Sequence, residues 1–582
     1  MRGFRTYAII NLWHKPTSLT LPRRGGSLNE TFNPESNKES TVQAVPQSLF
    51  PRVKLKQPWL TVLSALAAGI LLMFTWWGFD GVGLRMGLSV VIIGVLFSVN
   101  TVIQQKKLKV STLALLLLTI AASLVSVFRQ EFVTKAISMM VSLIGLLLLS
   151  SDFMNSQWWL YRIREYFRSA FLAMVAFFVG LPVLLAQAFR QNKNRTATNS
   201  QGKKIAFGVL KGILIAIPIL IIFTLLFSFA DSIFESKVDS FVEWLRNDFL
   251  AELAGRVFMS LFFGWLAAAG LWLSISDNGQ KIDLEDDKPL VKPFLGMTET
   301  AIVLVSINLL FAFFLVIQFQ YFFAGQANIN LEGFTYAEYA RRGFTELLWV
   351  AAIAGALYYL LASFTRREST PKRLLFSALG AVLLLQVGVV LVSAYQRINL
   401  YVEAYGLTEI RLVPQIFTYF LAAILAALVI MEVTGEMKRF ALVLLAAFVL
   451  FSFTLAGINI DRTIARVNVR RAAAGEELDY QLLTYRLSED ADPYLYEVLD
   501  SGTLPPQLQQ NLAKVMVCRS VIYEKTRGLS SATWLEWNLP TIKAQRLHED
   551  HLSLRETYEF DFIDIVHNAR GFQIEDVDLI CN

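Results

Sequence analysis

Twelve long apolar runs, each of roughly twenty residues, follow one another between residues 59 and 458. A helix of about 20 residues crosses the hydrocarbon core of a bilayer, which is about 30 Å thick. The runs are apolar on all sides, whereas a helix of a large soluble protein carries one apolar stripe. The sequence therefore predicts an all-α fold, a polytopic membrane helix bundle of about 11–12 spans followed by a C-terminal helical soluble domain.

The composition also favours a membrane protein. Hydrophobic residues make up 55% of the chain and charged residues 17%, against about 45–50% and about 25% in a soluble domain. The formal net charge of +6 is modest, and most basic residues lie beside the apolar runs, where they orient the spans of a membrane protein. We therefore expect the lipid bilayer as a partner and no nucleic acid.

Three segments follow from this pattern. Residues 1–58 are polar and rich in proline, which predicts a disordered N-terminal tail. Residues 59–458 form the transmembrane domain, and residues 459–582, which contain no spanning run, form the C-terminal helical domain. The candidate spans lie near residues 59–78, 83–103, 110–128, 132–150, 168–188, 205–230, 257–276, 300–322, 345–364, 374–395, 413–431 and 440–458.

The fifth span poses a problem of orientation. Basic residues before the first span predict a cytoplasmic N-terminus. The same rule asks that both flanks of the fifth span lie inside, because both are basic: Arg162, Arg164 and Arg168 come first, and Arg190, Lys193, Arg195, Lys203 and Lys204 come later. Either the span is re-entrant or broken near Pro182, or one loop breaks the rule. We favour a full crossing, because the span is long enough to cross.

The fifth span also decides where the C-terminal domain lies. Twelve full crossings from a cytoplasmic N-terminus would place that domain inside the cell. A fifth segment that does not cross would place it outside, and the basic loop after the ninth span would then be cytoplasmic.

A cluster of charged and tyrosine side chains leads into the ninth span. Its members are Tyr336, Glu338, Tyr339, Arg341, Arg342 and Glu346. In a helix, Arg342 would pair with Glu338 and Glu346, each four residues away. We favour an anchor at the membrane interface. The alternative is a buried ion-pair network, because a carboxylate inside a span is costly unless it is paired or wet.

A basic stripe follows the last span. Arg462, Arg466 and Arg470 recur every four residues, so they share one face of a helix that Asn459 can cap. Such a stripe suits phospholipid headgroups or a protein partner of the C-terminal domain. A solvated helix face is an equally good interpretation.

Two segments carry a resemblance to a known family. One runs from Tyr336 to Phe344, and the other runs from Asn459 to Asn468, after the last span. Together they resemble the bacterial family Domain of Unknown Function 4173. Val467 departs from the pattern, which has an aromatic residue there. The resemblance implies a multi-pass membrane protein of unassigned function in the inner membrane of a bacterium.

Motifs of catalysis are not evident in the sequence. It contains no phosphate-binding P-loop, no glycine-rich dinucleotide fingerprint and no G-x-S-x-G nucleophile elbow. His548 and His551 lie three residues apart, whereas the zincin motif needs four, so we interpret them as surface histidines. The sequence therefore predicts no enzyme, no cofactor, and no catalytic or metal-binding residues.

Two functions are compatible with these features. The first is a non-enzymatic scaffold, sensor or interaction protein of the bacterial envelope. The alternative is a secondary transporter or permease with a polar site around Glu338, Arg342 and Glu346. Many such transporters carry internal repeats and charged pairs at mid-depth, and neither is clear in this sequence.

Overall fold

The structure is a computed structural model of the chain. It describes residues 55–77, 82–105, 107–153, 156–193, 201–245, 248–275, 293–323, 343–367, 369–528 and 534–557. Residues 1–54, which make up most of the predicted N-terminal tail, lie outside the described residues. The described residues belong to one compact unit.

The described chain is helical nearly throughout, as the sequence predicts. The helices of the predicted transmembrane region are α1 (Pro58–Trp76), α2 (Arg85–Ile103), α3 (Val110–Ser123), α4 (Val125–Phe128), α5 (Phe132–Asp152), α6 (Ile163–Lys193), α7 (Gln201–Ala230), α8 (Ser232–Leu245), α9 (Asp248–Ile275), α10 (Met297–Phe323), α11 (Phe344–Phe364), α12 (Thr370–Tyr405), α13 (Glu409–Thr434) and α14 (Phe440–Ile458). The C-terminal helices are α15 (Ile460–Ala473), α16 (Asp492–Ser501), α17 (Pro506–Gly528), α18 (Leu539–Asp550) and α19 (Ser553–Thr557).

Each predicted span overlaps at least one helix of the described chain. Within the described residues, eleven helices are long and apolar enough to cross a membrane, which confirms the polytopic bundle. The tenth predicted span ends at residue 395, whereas α12 continues to Tyr405 through Arg397. The helix tolerates this arginine because its Nη2 donates a hydrogen bond to Gln318 Oε1 of α10 at 2.8 Å.

The bundle has two ends, which we call the domain end and the far end. At the domain end the C-terminal helices pack on the bundle, and the Leu84 amide beside α2 donates to the Leu535 carbonyl at 3.0 Å. At the far end, the Lys56 amide before α1 donates to Gln104 Oε1 after α2 at 3.1 Å. α1 therefore runs from the far end to the domain end, and α2 runs back.

The apolar core of the C-terminal helices continues into the bundle. Ile464 of α15 and Leu495 of α16 are buried in the same cluster as Leu412 of α13 and Leu455 of α14. The boundary predicted near residue 459 is a change of direction at Asn459, whose φ is +54°. The C-terminal helices therefore share a core with the bundle.

Both ends of α6 contact the far end of the bundle. Just before its first turn, Tyr161 lies against Asp152, in the last turn of α5. In its last turns, the Gln191 Nε2 donates to the Lys56 carbonyl at 3.0 Å.

The middle of α6 lies deeper in the bundle. The Phe177 carbonyl accepts a hydrogen bond from the Trp265 indole, about three turns before the far end of α9. α9 begins at the domain end, where the Arg256 guanidinium lies 5.2 Å from the centroid of the Trp77 ring. Pro182 stands near this middle section, and an interior proline removes a backbone donor and lets a helix bend.

Candidate functional site: a carboxylate junction

Four carboxylates of the described chain meet at the domain end, each at a helix N-terminus. Glu131 caps α5, Glu409 begins α13, Asp461 is the second residue of α15, and Asp490 stands two residues before α16. The free N–H groups and the dipole of a helix N-terminus favour a negative charge. The fold collects these acids because the four helices begin at the same place. We call the four residues the carboxylate junction.

Glu131 and Glu409 connect two helices of the bundle. Glu131 is 3% exposed, and it accepts hydrogen bonds from the backbone N–H groups of Val133 and Thr134, the second at 2.8 Å. The Glu409 side chain lies beside the Glu131 carboxylate. The two acids therefore bring the starts of α5 and α13 together.

Asp461 and Asp490 connect the C-terminal helices to this pair. Asp461 Oδ2 accepts hydrogen bonds from the Ser488 amide at 2.7 Å and from its hydroxyl at 2.6 Å. Asp490 Oδ2 accepts from the backbone N–H groups of Gln130 and Glu131 at 2.5 and 3.1 Å. Asp490 thus binds the start of α5, and Asp461 holds the loop before α16.

Burial shifts the titration of both aspartates. The pKa of Asp461 is raised from 3.8 to about 6, mainly by burial; the bonds from Ser488 oppose the shift, and the charges of Glu131 and Asp490 add to it. The pKa of Asp490 is also raised, again mainly by burial, against the backbone N–H bonds and Arg129. Arg129 Nη1 lies 3.7 Å from Asp490 Oδ1.

The chemistry that this arrangement supports is the binding and release of protons. A proton on Asp461 or Asp490 would remove one negative charge from a buried cluster whose members belong to four helices. Among the residues that the structure describes, no group of three or more His, Cys, Asp or Glu side chains could hold a metal ion.

A comparison with protein families identifies the group to which the chain is related. The family model described as Domain of unknown function (DUF4153) matches residues 111–498, more than half of the chain. The chain belongs to the DUF4153 family. The predicted resemblance to family 4173 is therefore wrong in the family it names and right in pointing to a family of unknown function. No curated protein and no solved structure matches the chain.

The match covers the whole carboxylate junction, since it extends from the second residue of α3 to the seventh residue of α16. The junction is therefore part of the DUF4153 region of the chain. Arg85 and the segment after residue 498 lie outside that region.

Most of the charged cluster predicted before the ninth span lies outside the described residues: Tyr336, Glu338, Tyr339, Arg341 and Arg342. Glu346 is described, and it lies exposed in the first turn of α11. Gly343, which precedes α11 with a φ of +94°, packs against the guanidinium of Arg397. The predicted pairing of Arg342 with Glu346 stays a prediction.

Two of the three arginines in the predicted basic stripe of the DUF4153 protein contact α16 of the same chain. Arg462 pairs with Glu497 at 3.5 Å, and the Arg466 guanidinium lies 5.7 Å from the centroid of the Tyr494 ring. Arg470 is exposed. The first two arginines therefore contact α16 of the same chain, and a contact of Arg470 with lipid or a partner stays a prediction.

The structure also contains a buried network that sequence reasoning missed. Asp492 pairs with Arg519 at 2.5 Å, and its Oδ2 lies 3.3 Å from His548 Nε2. The His548 Nδ1 and the Tyr496 hydroxyl share a hydrogen bond of 2.7 Å. The prediction of a surface histidine is wrong for His548, which is 5% exposed. The side chains around His548 belong to α16 and α17, so the spacing between His548 and His551 could not predict this network.

Proposed function

We propose that this DUF4153 protein is a non-enzymatic membrane sensor whose carboxylate junction responds to proton concentration. The observation that carries the proposal is that the junction joins the N-termini of two bundle helices, α5 and α13, to those of two C-terminal helices. Protonation at such a place changes the free energy of the contact between the two parts of the molecule. The scaffold role expected from the sequence is retained, since the bundle supports the C-terminal helices.

We infer that the C-terminal helices lie outside the cytoplasm. In and beside the segments that connect the bundle helices, most basic residues of the described chain lie at the far end, before α1, between α2 and α3, beside α6, between α11 and α12, and between α13 and α14. They are Lys56, Lys107, Lys109, Arg162, Arg164, Arg190, Arg366, Arg367, Lys372, Arg373, Lys438 and Arg439. The positive-inside rule makes the far end cytoplasmic.

The contacts of α6 support the same orientation. A helix with both ends at the far end is re-entrant, and α6 pairs its own backbone N–H and C=O groups at membrane depth because it is helical from Ile163 to Lys193. α1, α2, α3 with α4, α5, α7 and the six long helices from α9 to α14 then cross the membrane, and this odd number separates the N-terminus from the C-terminal helices. We therefore propose that α6 is re-entrant, in place of the full crossing that the length of the fifth span favours.

The sensor is tested by hydrogen exchange on the full chain in lipid nanodiscs. We expect residues 460–501 to be better protected at about pH 5 than at about pH 7.5, after correction for the intrinsic exchange rate. The variant Asp461→Asn should show a smaller difference, because an amide does not titrate in this range and only the other acids of the junction still do. Asp550→Asn, at an exposed position of α18, is the matched control and should behave as the wild type. Equal protection at both pH values in the wild-type chain would refute the sensor.

A permease is the second candidate, and one observation favours it. Arg397 is 8% exposed inside the long helix α12, and Ser393 of the same helix shares its partner Gln318. A buried arginine in a membrane-spanning helix often marks a solute path. Uptake of a mixture of radiolabelled amino acids and sugars into proteoliposomes would then be lost in Glu346→Gln and Arg397→Gln. Uptake equal to that of empty liposomes in the wild type would count against this candidate.

A further inference from the structure

A long apolar cavity lies inside the bundle, between α1, α2, α5, α6 and α9. Its volume is about 320 Å³. It reaches from Trp76 and Ser89, near the domain end, to Ser150, near the far end. An engineered apolar cavity of about 150 Å³ is large enough to hold a benzene ring, so this space is roughly twice as large and it is elongated.

The polar groups in its described walls are satisfied by the protein. The Trp76 indole donates to Ser89 Oγ at 2.8 Å, and that hydroxyl donates to the Arg85 carbonyl at 2.8 Å. The Ser150 hydroxyl donates to the Leu147 carbonyl at 2.8 Å. A buried water needs two to four polar partners, and these walls offer few free ones. Water is therefore a poor occupant.

We propose that this cavity binds one hydrocarbon chain of a membrane lipid. The remaining walls are aliphatic and aromatic, and they include Leu72, Phe97 and Phe177. Leu266 lines the cavity and is 40% exposed on a helix that is apolar enough to span the membrane, so the cavity is accessible from the hydrocarbon phase. An empty space of this size forfeits dispersion contacts along its whole lining, and an acyl chain restores them without losing a hydrogen bond.

The shape of the cavity favours a chain over a compact ligand. Its lining runs from Phe263 to Leu273 along α9, a rise of about 15 Å, and lipid chains lie in the same direction in a bilayer. The occupant would bridge the bundle and the middle of α6, because Ala176 and Phe177 form part of the wall. Neither the cavity nor its occupant involves the carboxylate junction.

Photolabelling tests the proposal on the full chain. The protein is reconstituted in nanodiscs of phosphatidylcholine that carries a diazirine on one acyl chain, and the adducts are mapped by mass spectrometry. We expect adducts on Leu72, Phe97 or Phe177, in addition to those on lipid-facing residues such as Val95. Labelling of Val95 without labelling of the cavity residues would overturn the proposal.

Two variants fill the space, and one serves as their control. Ala176→Leu and Ser150→Leu should lose the cavity adducts while keeping those on Val95. Leu71→Phe, at a position that is 52% exposed on α1, should keep both sets. Because the adduct pattern of the wild-type chain already decides the matter, a variant that fails to fold leaves the proposal testable. Cavity adducts that persist in both folded filling variants would also overturn it.

Discussion

At the scale of single residues, the protein is distinguished by acids that are buried with little compensation from cations. Asp461 is 2% exposed, and its neighbours Glu131, Glu409 and Asp490 are also acids. Arg129 and Lys135 are the nearby cations on the adjoining elements of the described chain. Such a cluster persists because helix N-termini supply the partial positive charge that side chains do not.

The pH dependence of stability follows from the sign of the Asp461 shift. Its pKa is raised in the folded protein to about 6, from 3.8. The folded state therefore binds the proton more tightly, so this stabilisation is fully present below pH 3.8 and is lost as the pH rises to about 6. The difference corresponds to about 3 kcal/mol.

Asp461→Asn should remove this dependence. The amide keeps an acceptor for the Ser488 N–H but carries no charge at neutral pH. We expect the variant to be more stable than the wild type at about pH 7.5, by at most about 3 kcal/mol, and to differ little at about pH 4. Thermal unfolding in detergent measures the effect. A variant whose stability follows the same pH curve as the wild type would contradict this account of Asp461.

At the scale of helices, close contacts between backbones hold the bundle together. Gly69 of α1 packs directly on the Ser260 carbonyl and the Gly264 backbone of α9, so that a Cβ at position 69 would overlap both. Small residues at such crossings let membrane helices approach closely. By contrast, nothing lies within 4 Å of a Cβ placed at Gly457 in α14.

Gly69→Val should therefore destabilise the bundle, and Gly457→Val should not. Overpacking of a tight contact costs about 1–3 kcal/mol, and the open site at Gly457 carries no such cost. The midpoint of thermal unfolding in one detergent compares the two variants with the wild type. Equal midpoints for the two valine variants would show that the crossing of α1 and α9 is looser than the structure has it.

The segment after α17 is fixed to the bundle by a buried ion pair. Arg85 is 0% exposed, and it donates to Glu536 at 2.8 Å and to the Thr75 carbonyl at 2.8 Å. Removal of one partner of such a pair costs about 3–5 kcal/mol, because the other charge stays buried.

Glu536→Ala should loosen this segment. We expect faster protease cleavage between residues 534 and 557 in the full chain, because the segment loses its ion pair with α2 and keeps only backbone and apolar contacts there. Glu549→Ala, at an exposed position of α18, is the control and should be cleaved at the wild-type rate. A cleavage rate that is unchanged in Glu536→Ala would mean that the ion pair does not hold the segment.

The membrane-spanning helices can be predicted from the sequence because each needs only a local run of apolar residues. The prediction for 440–458 coincides with α14, whereas the span predicted at 374–395 falls short of the end of α12. The prediction ends that span before Arg397 because a charged residue interrupts the apolar run. The partner of Arg397 is Gln318, which lies on another helix. The carboxylate junction could not be predicted for the same reason. In the sequence, each of its acids resembles an ordinary helix cap. The junction forms only when four helices that are distant in sequence pack together.

At the scale of the whole molecule, α6 decides the orientation of everything that follows it. The basic flanks of the fifth span already pose the question, and the sequence leaves two answers open. The contacts of Tyr161 and Gln191 with the far end favour the re-entrant one. The C-terminal helices and the carboxylate junction would then be exposed to the pH outside the cytoplasm, which is the pH that a proton sensor at this place would detect.

Cysteine labelling in intact bacterial cells tests this orientation most directly. Single cysteines are placed at the exposed positions Lys107, Arg190 and Asp550 in a full chain whose two native cysteines are replaced by serine. We expect a membrane-impermeant maleimide to label Asp550→Cys in intact cells, and to label Lys107→Cys and Arg190→Cys only after the cells are permeabilised. Labelling of Arg190→Cys from outside, with Asp550→Cys protected, would contradict the proposed orientation.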